Sequence, residues 1–338
     1  MNDKPTIYCQ MGFLEKFIKL LQNSFDSLLI EDENNGNILT ATYKLVFGKA
    51  VIHLNISPEE LIKNQHPLIK KFIKNPTALI KCNPELSQKF EDESFWKEME
   101  DEVFLLDENN VKAHDIENNW GLMVLTPENL KEKGIKLTAR APMFLKQHDK
   151  KFSFNRLIIA KHTFHRAILV DNYLTAKEQD IQNNIVPLLK AISNGSPAKR
   201  PIKLTVVTTN DNILALHKSL IKCLANDFPS IEITVAKTQT LKNHDRHLIT
   251  NQLWMSSGFG FNLLAFDRNK KCLTVVRDTT IFVLPRISNE RASYNSDLDS
   301  EVAWSYFSSA SNLLARLDAI IENARQDRGT QQWLISNA

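Results

Sequence analysis

Glycine and proline are scarce in this chain, 9 and 12 of 338 residues, which excludes collagen-like and low-complexity architectures. Four cysteines, Cys9, Cys82, Cys223 and Cys272, stand far apart without a Cys-x-x-Cys pair. That argues against a zinc site built from cysteine and fits a reducing, cytoplasmic compartment. No apolar run approaches the roughly 18 residues needed to cross a bilayer. Residues 1–10 lack the basic-then-apolar order of a secretion signal. No Walker or dinucleotide fingerprint occurs, Gly121 and Gly134 sit in no phosphate-loop pattern, and no internal repeat is visible. What remains is a chain long enough for two domains, each able to bury its own core.

The near-neutral total conceals a division of charge. Residues 1–135 carry 15 Lys and Arg against 22 Asp and Glu, a net of −7. Residues 136–250 carry 18 against 8, a net of +10, and residues 251–338 balance at 9 against 9. The split suggests two modules with different partners. The basic stretch suits a polyanion such as nucleic acid or another phosphorylated ligand. It is equally consistent with a solvated surface facing the acidic part of the chain, because no Lys/Arg run exceeds two residues.

Apolar spacing sketches an α/β organisation. Residues 12–24 place Phe13, Phe17, Leu20 and Leu21 at helical spacing, and 25–30 read as a strand before the acids Glu31, Asp32 and Glu33. A helix is expected over 38–47 and strands over 50–54, 77–81, 103–106 and 121–125. Ser57-Pro58-Glu59-Glu60 carries the N-cap, first-turn proline and early acids of a helix start. Residues 1–140 thus form an acidic α/β domain, with 141–156 as a connector. The second domain, 141–338, alternates strands (167–170, 202–207, 231–236) with helices (178–192, 212–226). It adds short apolar runs at 247–249, 275–276 and 280–284. A polar loop at 288–300 precedes a closing helix at 302–323, whose apolar face holds Trp304, Phe307, Leu313, Leu314, Leu317 and Ile321.

One segment has chemical content. Residues 244–262 read HDRHLITNQLWMSSGFGFN, a His-x-Arg-x4-Asn pattern followed after six residues by Gly258 and then by Asn262. It resembles the signature of the phospholipase D-like superfamily, with Arg246 in place of lysine, Asn251 in place of aspartate and Phe259 where serine is expected. The resemblance covers about half the chain, roughly 155–285, and implies an α/β domain with a central mixed sheet. It extends to no part of residues 1–140. In such enzymes a histidine attacks phosphorus, a cation offsets charge on the phosphate oxygens, and a carboxylate holds the imidazole. On that pattern His244 is the nucleophile, Arg246 the phosphate clamp and Asn251 an uncharged orienter. The loop Ser256-Ser257-Gly258, with Asn262, supplies hydroxyl, amide and backbone groups to the phosphate. The resemblance implies no cofactor and no resident metal.

Such sites usually join two histidine motifs, and this chain has one. His162 and His165 lack the accompanying lysine spacing. Either two chains complete the site in a homodimer, giving a metal-independent phosphodiesterase or nuclease, or the domain is degenerate and keeps phosphate binding alone. Similar chains look like components of bacterial antiviral defence, which implies a binding or sensor module. A third reading is a structural subunit docking on partners from the same operon. The bland alternative makes His244 and Arg246 local structural residues.

Weaker signals carry plainer explanations. Arg156 and His162 bracket an apolar stretch that reads as a buried strand. His244 and His247 fall on opposite faces of a strand, against shared metal ligation. Glu31, Asp32, Glu33 and Asp107 follow N-terminal strands, where acids bind a divalent cation or serve as polar loop residues. Trp254, Phe259 and Phe261 flank the motif as base-stacking rings or as core residues.

Overall fold

The computed structural model describes residues 6–27, 51–74, 79–100, 102–130, 133, 141–237, 246–285 and 334–336. The helix expected at 38–47, the loop at 288–300, the closing helix at 302–323, the acids Glu31, Asp32 and Glu33, and His244 lie outside them. The described residues form two compact α/β units that divide between 133 and 141.

The first unit holds five parallel strands: β1 (Thr6–Cys9), β2 (Val51–Leu54), β3 (Leu79–Cys82), β4 (Val103–Leu105) and β5 (Met123–Leu125), in the order β3-β2-β1-β4-β5. Parallel sheets are covered on both faces, so their strands read as unbroken apolar runs rather than alternating ones. Residues 103–106 and 122–125 show this. Ile7, Cys9, Val103, Leu105 and Leu125 point into one core with Phe13, Leu14 and Phe17 of α1 (Met11–Ser27). Phe104, Leu106, Leu122 and Val124 point into another, with Phe90, Trp96, Ile116 and Trp120. These come from the region of short helices α4 (Leu86–Lys89), α5 (Glu93–Glu98) and α6 (Asn110–Trp120). Two further helices, α2 (Pro58–Lys63) and α3 (Pro67–Ile73), follow β2. At α2 the expected start is a full capping box: Ser57 and Glu60 satisfy each other's backbone N–H groups. The strand expected at 25–30 is overturned at its start, because α1 continues to Ser27 with no Gly or Pro to stop it.

The second unit is built on an eight-stranded mixed sheet, in the order β15-β9-β8-β7-β10-β11-β14-β6. β7 (Arg166–Val170), β8 (Ile202–Thr208) and β9 (Ile231–Lys237) are parallel. β10 (Arg246–Thr250), β11 (Leu253–Ser257), β14 (Thr279–Pro285) and β6 (Ala141–Leu145) continue antiparallel on the other side of β7, and β15 (Leu334–Ser336) edges β9. A separate hairpin pairs β12 (Leu264–Asp267) with β13 (Cys272–Val275). Helices α7 (Glu178–Asn183), α8 (Ile185–Ile192) and α9 (Ile213–Leu224) contribute Ile181, Ile185, Leu188, Leu216 and Leu220 to a core that also takes Leu169, Leu204, Ile233, Leu248 and Met255 from the sheet.

Four expectations are corrected here. Residues 141–145 are an edge strand rather than connector, with Pro142 where a missing N–H is tolerated. Residues 154–160 form a 3₁₀ segment, not a strand. The helix expected over 178–192 breaks at Asn184, whose fully engaged side chain holds the backbone of Leu264 on β12. Ser256 and Ser257 end strand β11 rather than lying in a loop.

Candidate functional site

Strand register assembles the site. Leu248 of β10 stands opposite Leu169 of β7 and Met255 of β11, and all three enter the core. Side chains two residues apart on a strand share a face. Asp171, two beyond Leu169, therefore shares a face with Arg246, two before Leu248, and with Ser257, two beyond Met255. The three meet at the carboxyl edge of β7. There the chain has run outward through β8 and β9 and returns on the opposite side as β10. Ligand sites in open α/β sheets gather at such reversals of strand order.

Arg246 is 5% exposed. Its Nη1 donates to the Gly258 carbonyl at 3.1 Å, and its Cζ lies 4.5 Å from the centroid of the Tyr173 ring, a cation–π contact. Its Nε is buried without a hydrogen-bond partner. Asp171, fully buried, accepts from the N–H of Phe261 (2.8 Å) and of Tyr173 (2.9 Å). Burial pushes its carboxyl above the ordinary range; the two N–H groups and the Arg246 charge oppose that shift without cancelling it. Gly260, at φ +84°, makes room: a Cβ there would stand 2.6 Å from Asp171 Oδ2. The turn between β11 and β12 is thus pinned to the segment leaving β7, and the Asn262 Nδ2 donates to the Tyr173 carbonyl at 3.1 Å.

This corner concentrates unmet hydrogen-bonding capacity. Arg246 Nε, Asn172 Oδ1, Asn262 Oδ1 and Thr279 Oγ1 are all buried and unpartnered, and among the described residues only Ser196 Oγ and Asp107 Oδ1 share that character. The latter is ion-paired to Lys16. Buried polar atoms without partners cost about 1–3 kcal/mol each, so each of them invites a partner such as an ordered water or a ligand. One firm donor, one hydroxyl and two amide oxygens suit a ligand that carries both anionic oxygens and hydrogen-bond donors.

The sequence-predicted residues divide accordingly. Arg246, Gly258 and Asn262 come together at the corner. Ser257 is adjacent, but its hydroxyl is committed to the Gly260 carbonyl (2.6 Å). Ser256 pairs with His247 in register, on the other face from Arg246. Asn251 is not brought there. It follows β10 at the far end, five residues or about 16 Å of extended chain from Arg246, and its Oδ1 accepts from the His165 N–H. His162 is at that end too, its ring nitrogens against the Ala160 carbonyl and the Thr250 hydroxyl. His244 lies outside the described residues. Of the three candidate stacking rings, Trp254 and Phe261 are buried and Phe259 is 48% exposed.

Asp171, Tyr173, Gly260 and Thr279 were not singled out from the sequence. Asp171 had a legible signal, an acid directly after the apolar run 167–170 at a strand end. In the first unit, Asp107 follows β4 and its carboxylate pairs with Lys16. Among the described residues no group of three His, Cys, Asp or Glu is placed to hold a metal ion, and no helix is long and apolar enough to cross a membrane. Compared with family models and with curated proteins, the chain finds no match.

Proposed function

We propose that the second unit is a phosphate-recognising binding module of phospholipase D-like type, with Arg246 as its clamp. The observation that carries this reading is a buried guanidinium held between the Tyr173 ring and the Gly258 carbonyl, with Nε–H unspent, at the carboxyl edge of β7. A guanidinium so fixed loses little freedom on gripping an oxyanion. Binding rather than turnover is supported by the position of Asn251. The group that replaces the catalytic carboxylate is at the opposite end of β10, bonded to the backbone of His165. On the resemblance, such a module acts as a sensor in bacterial defence against phage.

The test is binding of a 5′-phosphorylated oligonucleotide to the full chain, measured by fluorescence anisotropy across a salt series. Salt weakens the complex. Arg246→Lys retains the charge and loses the fork, so affinity falls about tenfold or more, with melting temperature recorded alongside. An unchanged affinity rejects the clamp. Metal-independent cleavage of the oligonucleotide that disappears in His244→Ala would instead establish the phosphodiesterase.

A further inference from the structure

Two exposed aromatic rings flank the phosphate corner, each with a cation against it. Tyr173 is 62% exposed with Arg246 over its ring, and Phe259 is 48% exposed with the Arg277 Cζ 5.3 Å from its centroid. We propose that these rings are stacking platforms for the bases of a single-stranded nucleic acid whose phosphate is held by Arg246. The inference rests on the phosphate reading above and specifies its ligand.

Three observations carry it. First, the exposure of Phe259 is local and built. Its neighbour Phe261 is wholly buried, whereas Phe259 is held at a turn tip between Gly258 and Gly260, the latter in a backbone region that side chains avoid. Second, both rings are held in register with the clamp. Asp171 binds the N–H of Tyr173 and of Phe261, and Arg246 itself binds the carbonyl that precedes Phe259. Third, the unpartnered atoms match a nucleotide better than a bare phosphate. Arg246 Nε–H is a donor of the kind a phosphate oxygen would take, and Asn172 Oδ1 and Asn262 Oδ1 are acceptors of the kind base amino groups or sugar hydroxyls would take. A base stacks on an aromatic face whatever its identity, but only when that base is free of a duplex stack. The geometry therefore selects single strands without selecting sequence.

The experiment titrates the full chain with three labelled ligands of about 10 nucleotides: a single strand, its duplex, and an abasic deoxyribose-phosphate strand of equal length. The single strand is expected to bind most tightly. Phe259→Ala should weaken it about tenfold and leave the abasic strand unaffected, while Phe259→Trp retains binding; Tyr173→Ala also removes the ring against Arg246 and should weaken both strands. Phe259 is at an exposed tip, so its variant tests the idea even where Tyr173→Ala lowers the melting temperature. Equal affinity for strand and duplex, or a Phe259→Ala protein that binds the single strand normally, overturns the stacking role. If Arg246→Lys still weakens the abasic strand in that case, the phosphate clamp survives alone. If Arg246→Lys changes neither ligand, the phosphate reading itself is wrong.

Discussion

Asp171 shows how one side chain can hold a site together at some cost to itself. Its carboxyl is pushed up by burial, yet it remains the acceptor for the buried N–H of Phe261 and the part-buried N–H of Tyr173. Asp171→Ala strands the buried Phe261 N–H and should destabilise the chain by roughly 1–3 kcal/mol, read as a lower urea midpoint. The sign of the pH effect follows from the raised folded pKa. The neutral acid is favoured in the fold, so this group's contribution is fullest below the unfolded carboxyl pKa. It declines as pH rises through that value and the raised one. Urea titrations across that acid range should show the decline in the native protein and not in Asp171→Asn. Gly260 has no such latitude. At φ +84° and 2.6 Å from Asp171 Oδ2, an added methyl has both a backbone and a steric penalty. Gly260→Ala should lower stability by about 1–3 kcal/mol, and a melting temperature within error of the native protein would remove the cradle argument.

At the scale of elements, helices were more legible than the strands around the motif. Capping chemistry is local: Ser57-Pro58-Glu59-Glu60 announced α2, and Ser57→Ala should cost about 1 kcal/mol by losing its half of the reciprocal pair. The break at Asn184 was invisible because its cause is distant. The Asn184 side chain donates to the Leu264 carbonyl and accepts from the Leu264 N–H, 80 residues away, pairing the helix junction with β12. Asn184→Ala leaves both groups unpaired in a buried place and should lower stability by roughly 2 kcal/mol or more, measured by thermal unfolding. β11 was obscured for a different reason. Its Leu253–Ser257 sequence carries Ser256 and Ser257 next to glycine, which reads as a turn, and only pairing with β10 and β14 on both sides makes it a strand. The short edge strand β6 was lost in the same way, as a strand containing Pro142 has little pattern of its own.

For the molecule as a whole, the two units have separate cores and should respond to damage separately. Leu105 belongs to a cluster made only of first-unit residues, Leu248 to one made only of second-unit residues. Leu105→Ala and Leu248→Ala, each worth about 2–5 kcal/mol, are expected to lower different calorimetric transitions. One transition lowered by both variants would mean that the cores unfold together. The charge division runs the same way, because the proposed clamp, Arg246, belongs to the basic part of the chain. Most of the salt dependence of ligand binding is therefore expected to persist when acids of the first unit are neutralised.

What could be read from residues alone was whatever depends on near neighbours. Two α/β modules, their apolar strand runs and the capped helix follow from patterns a few residues wide. Which side chains share a corner does not. Arg246 and Asn251 are close in sequence and stand at opposite ends of one strand, while Asp171, 75 positions earlier, shares a face with Arg246 because β7 and β10 pair antiparallel. Register is set by long-range hydrogen bonding and by which face the core claims, and no local window of sequence contains either.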